Sequence, residues 1–99
     1  MFRLIKVEGE SMQPRYQPGD YVLVCRAPIF CIPIKPGDTV VFNQPPYGIL
    51  IKQVSELDPA TGEMMVTGLQ PESVDSRHFG PVPAHKLLGK VVGHIPRSR

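Results

Sequence analysis

Two residues of the chain, Ser11 and Lys52, have the types needed for proton transfer and nucleophilic attack. Lys52 lies in the apolar run Gly48-Ile49-Leu50-Ile51-Lys52-Gln53-Val54. On a strand, Leu50, Lys52 and Val54 project to one face and Ile49, Ile51 and Gln53 to the other, so the lysine shares its face with two large apolar side chains. Burial disfavours the ammonium and lowers its pKa; a lysine that is neutral near pH 7–8 takes a proton from a hydroxyl. An edge-strand lysine whose ammonium snorkels to water satisfies the same pattern. Ser11 lies in Glu8-Gly9-Glu10-Ser11-Met12-Gln13-Pro14, a polar segment in which Gly9 permits close backbone approach. Such a serine is a nucleophile where a base reaches it and a turn or capping residue where none does.

The elements that must position these residues are short strands. With 12 prolines and 9 glycines in 99 residues, the longest stretch free of both is residues 49–58. A helix interior loses roughly 3 kcal/mol to a proline and about 1 kcal/mol to a glycine, so the punctuation predicts a mostly β domain without long helices. The phrase Pro-Gly-Asp occurs at Pro18-Gly19-Asp20 and at Pro36-Gly37-Asp38, each time ahead of an alternating run. Proline presets φ and glycine supplies φ > 0, so both launch strands, at 21–25 and 39–42. A strand at 48–54 carries Lys52, and a hairpin turn at 58–62 leads to a strand at 63–67. A polar loop follows at 68–77, then a helical turn at 84–88 and a last strand at 87–95. In that strand Gly89 and Gly93 mark bulges or close backbone approach. A first strand precedes the Ser11 segment, and nothing divides the chain into two domains.

Several classes are excluded. No uncharged apolar run approaches the roughly 18 residues that span a bilayer, and the N-terminus lacks the apolar core of a secretion signal. A soluble, non-exported, cytoplasmic chain without a membrane anchor is expected. Eleven basic and nine acidic residues are interspersed, a poor match to a nucleic acid backbone. Cys25 and Cys31 have no Cys-x-x-Cys spacing, and His78, His85 and His94 lack mutual spacing suited to a metal. Reduced structural cysteines, surface or loop histidines, and a protein without metal or cofactor are expected.

The ordered pattern is longer than any of its parts: Gly9-x-Ser11-Met12-x-Pro14, then Gly19-Asp20-x-Val22-Leu23-Val24, then Gly37-Asp38-x-Val40-x-Phe42. After these come the apolar strand bearing Lys52 and Ser73-x-Asp75-Ser76-Arg77-x-Phe79-Gly80-Pro81-Val82. In order and spacing it resembles the signal peptidase I family of serine proteases, from Gly9 to about Val92. The resemblance implies a small barrel-like domain of antiparallel strands and a Ser-Lys dyad, with Ser11 as nucleophile and Lys52 as general base. It implies that Ser73 orients the lysine and that Asp75 and Arg77 form a structural ion pair. The Ser11 backbone, with Gly9, Met12 and Ser73, would complete the oxyanion and support set. Some members of the family carry a serine where this chain has Gly9, and the segment Gly68-Leu69-Gln70-Pro71-Glu72 is one residue shorter than the family's box.

Without the added β domain and anchors of exporting signal peptidases, the chain is expected to be a minimal catalytic core. The Pro71-x-Ser73-x-Asp75-Ser76-Arg77 ending resembles short nickel-type superoxide dismutase maturation proteases, which implies a precursor polypeptide with an N-terminal leader as the partner. A cleft lined by Val40, Phe42 and Leu50 is expected to select small side chains. Self-cleaving repressors and mutagenesis proteins use a similar Ser-Lys domain, and a non-catalytic β-barrel module keeps the same fold; both stand as alternatives.

Overall fold

The computed structural model describes residues 2–9, 11–26 and 33–97. Six strands, β1 (Phe2–Lys6), β2 (Tyr21–Arg26), β3 (Thr39–Gln44), β4 (Gly48–Leu57), β5 (Met64–Thr67) and β6 (Leu87–Ile95), form one antiparallel sheet in the order β1-β2-β6-β3-β4-β5. Among the described residues helix is confined to α1 (Ser76–Phe79) and a 3-10 turn at Ala84–Lys86. No helix among the described residues is long and apolar enough to cross a membrane.

The two Pro-Gly-Asp turns close in the same way. Asp20 N–H donates to the Gln17 carbonyl at 3.0 Å and Asp38 N–H to the Lys35 carbonyl at 3.1 Å. Each carboxylate accepts in return from the backbone N–H three residues back, both at 2.9 Å. The intervening Gly19 and Gly37 have φ of +95° and +96°, a conformation that side chains with a Cβ disfavour. Asp20 also accepts from Arg97 N at 2.9 Å and pairs with His94 Nε2 at 2.7 Å. The Gln17 and Arg97 amides, followed by His94, hold its carboxyl at about 2. His94 is thus a strand residue tied to a buried carboxylate.

Side chains of β3 alternate between two cores. Val40 and Phe42 pack with Val54, Met64, Val66, Val82 and Leu87, whereas Val41 packs with Val7, Met12, Tyr16, Val22 and Val24. Ile5 of β1 and Ile51 of β4 both reach the second core although three strands separate them in the ladder. The sheet therefore curls like part of a barrel, but among the described residues no pairing joins β1 to β5 and the ladder stays open. The expected bulges are present. Register shifts occur opposite Leu23/Val24, beside Gly93, and opposite Val41/Phe42, beside Gly89. Cys25 is buried; Cys31 lies outside the described residues.

Two stretches differ from the sequence reading. β4 runs three residues past Val54 because a bulge at Ser55 carries the pairing on to Leu57, with Ser55 Oγ donating to the Met65 carbonyl. The end of the expected polar loop winds into α1 because Asp75 caps it, accepting from Arg77 N at 3.0 Å.

Candidate active site

Lys52 is 2% exposed. The alternation of β4 puts Leu50 and Val54 in the first core and Ile51 in the second, and Val40 of β3 lies directly across from Lys52. On its other side β5 pairs with Gln53 through Leu57 and ends at Thr67. Lys52 is therefore not an edge-strand lysine reaching water. Continuing the register by one residue brings Gly68 opposite it. Burial pushes the lysine below its ordinary value of 10.5, and the Asp75 carboxylate offsets part of that fall. A lysine so desolvated loses its proton more readily than one in water and can serve as a base.

Ser11 is half-buried on a loop that is closed at its neck. Val7 N–H donates to the Asp20 carbonyl at 2.7 Å and Gly19 N–H to the Val7 carbonyl at 2.9 Å. Met12 and Tyr16 anchor the loop in the second core, with Tyr16 N–H on the Met12 carbonyl. Gly9 has φ +78° and no atom within 4 Å of where a Cβ would stand. Among the described residues the glycine answers to backbone conformation and no close approach is seen. The Ser11 carbonyl accepts from Leu69 N at 2.6 Å and Gln70 N at 3.2 Å, and Gln70 Nε2 donates to the Gln13 carbonyl at 2.6 Å. Among the described residues no acceptor pairs with the Ser11 N–H.

Gly68 is where these parts meet. A Cβ on it would overlap the Ser73 side chain and stand 3.2 Å from the Ser11 carbonyl oxygen; Lys52 is one residue beyond the last β4-β5 pair, Gln53 with Thr67. The Ser73 hydroxyl is buried with no hydrogen-bond partner among the described residues. The structure thus brings the Ser11 carbonyl and the Ser73 side chain to one glycine, and the β4-β5 register carried one residue further puts Lys52 beside it. Gly68, Leu69 and Gln70 escaped sequence reasoning; a glycine ending a strand beside the Ser73 segment was the available signal.

Asp75 supports this junction from behind. It is 1% exposed and takes a two-pronged contact from Arg77, Nε to Oδ1 at 2.9 Å and NH2 to Oδ2 at 3.1 Å. It also accepts from Thr67 Oγ1 and Gly68 N. Burial alone would raise its carboxyl, but the Arg77 side chain and amide and the Gly68 amide together hold it at about 2. The stability this gives is present above the ordinary value of 3.8 and is lost as pH falls through about 2. Arg77→Met is expected to move the acid-unfolding midpoint, followed by circular dichroism, upward by roughly 1–2 pH units. An unchanged midpoint would mean that the pair adds nothing to the fold.

A groove of about 530 Å³ ends at Ser11. It runs between Arg3 to Gly9 on one side and Tyr47, Ile49, Leu50 and Ile51 on the other, with Leu88 and Met12 also lining it. Leu50 lines it as expected from the sequence, but Val40 and Phe42 do not. Both are fully buried in the first core, because alternation names the face of a strand without naming which face is open.

No curated protein matches the chain. A protein-family model, however, covers residues 2–92, from the first residue of β1 through most of β6, and therefore includes the Ser11 loop, the Lys52 strand and the Ser73 to Arg77 segment. By that match the chain belongs to the Peptidase S24-like family, a Ser-Lys peptidase-like family.

Proposed function

We propose that the chain is a serine endopeptidase in which Ser11 is the nucleophile and Lys52 the general base, and that it removes a short leader from a precursor polypeptide in the cytoplasm. The observations that support the reading are a buried, desolvated lysine one residue beyond the β4-β5 pairing and a braced serine loop that reaches Gly68 and lines an open groove. The free side of β1 and the β4 backbone beyond the end of β5 border that groove, a setting in which an extended peptide adds as a strand.

Neutral Lys52 takes the Ser11 hydroxyl proton as Oγ attacks the scissile carbonyl, and the tetrahedral intermediate carries the negative charge on oxygen. The Ser11 N–H is the donor for that oxyanion, a kind of contact worth about 3 kcal/mol in other serine proteases. The Lys52 ammonium then protonates the leaving amine. Water, deprotonated by the same lysine, releases the acyl group and restores the Ser11 hydroxyl. The Ser73 hydroxyl, which makes no hydrogen bond to Lys52 in this structure, would orient the lysine in the substrate complex; Gly9 and Met12 shape and anchor the nucleophile loop.

A nickel-type superoxide dismutase precursor is the candidate substrate, on the resemblance of the Pro71-to-Val82 segment. In this reading nickel would bind the product after cleavage and the peptidase itself would use no metal. The family match favours a second reading, self-cleavage of the kind used by repressor-type domains. Mass spectrometry of the leader-bearing precursor, incubated with the wild-type chain or with Ser11→Ala, separates them. A single cut at the leader junction, absent with Ser11→Ala, is the expected result. A cut in the chain's own polypeptide at a rate independent of concentration would favour self-cleavage, and no cut by folded protein in either test would favour the non-catalytic module.

A further inference from the structure

The groove that ends at Ser11 has a charge at its far end. In β1, Phe2, Leu4 and Lys6 alternate with Arg3 and Ile5. Ile5 and the following Val7 face the second core, and Arg3 lies across from Val24 of that core. Arg3 is therefore on the concave face of the curled sheet, whereas Lys6, across from Tyr21, is on the outer face, although both residues border the groove. Arg3 is exposed, and among the described residues no carboxylate lies within ion-pairing distance of it. Among the described residues the one carboxylate bordering the groove, Glu8, is at the opposite end, beside Gly9 and Ser11.

A strand rises about 3.3 Å per residue, so Arg3 stands about 13 Å along β1 from Val7. An extended peptide laid beside β1 crosses that distance in four residues. Guanidinium is always charged and offers carboxylates a planar fork of donors. The intervening wall includes Ile5, Val7, Ile49 and Ile51, and the second cation bordering the groove, Lys6, is on the outer face of β1.

We infer that Arg3 is a specificity-determining residue, selecting substrates that carry an aspartate or glutamate at least four residues from the scissile bond with an apolar stretch between. The inference rests on the reading of the groove as the substrate site. Its test separates binding from cleavage: fluorescence anisotropy of labelled peptides on the Ser11→Ala chain, with aspartate or lysine at each position from the fourth outward on either side of the leader junction. An aspartate peptide is expected to bind two- to fivefold tighter than its lysine counterpart at low salt, the range of exposed ion pairs. The preference should fade at high salt, reverse in Arg3→Glu and persist in Lys6→Glu. Equal binding of all peptides, or a preference that survives Arg3→Glu, overturns the assignment, as does failure of every peptide to bind. Charge-selective binding by Ser11→Ala together with no cleavage by the wild-type chain would uphold Arg3 and overturn the protease reading alone.

Discussion

Lys52→Met is expected to lower peptide cleavage by about 10⁶-fold, the scale on which a serine protease loses turnover when its nucleophile or its base is removed, and at the same time to make the fold more stable. The two effects have one cause. The buried ammonium is held below its ordinary 10.5 by desolvation, so between its folded value and 10.5 the unfolded chain binds a proton that the folded chain does not. Stability of the wild type therefore rises with pH across that window, and the penalty is fully present below it. An apolar side chain of similar length escapes the penalty, by roughly 1–4 kcal/mol if other buried charges are a guide. The gain in melting temperature should be largest at low pH and shrink toward pH 10.5. In the wild type, cleavage should rise with pH as Lys52 deprotonates. A flat rate profile from pH 6 to 10, or a less stable Lys52→Met, would count against a desolvated lysine base.

Gly68→Ala is the second substitution with a large expected effect. The added carbon falls onto the Ser73 side chain, 2.6 Å from its Cβ, and close to the Ser11 carbonyl. These neighbours are a buried side chain near its own backbone and a main-chain oxygen held by two amides, so neither can swing away. Overpacking of this kind costs roughly 1–3 kcal/mol, and a shift of the serine loop of about 1 Å is enough to reduce turnover by about 100-fold. Thermal melts and single-turnover cleavage would measure both. Ser73→Gly in the Gly68→Ala background should recover most of the lost stability, whereas Ser73→Ala should not, because Ser73 Cβ is itself in the way. A Gly68→Ala chain with ordinary activity would mean that the meeting point of the serine loop and the lysine strand lies elsewhere.

The parts legible in the sequence were those set by neighbours along the chain. Pro-Gly-Asp announced its turn twice because proline, glycine and a short carboxylate act within four residues. Alternation correctly paired Lys52 with Leu50 and Val54. What alternation left open was whether that face lay under other strands, since the flanking β3 and β5 are set by pairing across the sheet. The same reason explains Val40 and Phe42, placed in the cleft by their chemistry and in the core by β6 and Val82 packing over them. Gly68 and Gln70 were invisible because their importance comes from Ser11, 57 and 59 positions away by number.

The last strand of the chain lies in the middle of the sheet, between β2 and β3. The serine loop belongs to the β1-β2 unit and the lysine to the β3-β4-β5 meander, two pieces that can each form from local contacts. The sheet joins them only through β6. During synthesis residues 87–95 follow both Ser11 and Lys52, so both units exist before the strand that joins them. Non-local pairing of this sort forms late. β6 works as the keystone of an arch, bringing the proposed nucleophile and base into one sheet only when it closes the span.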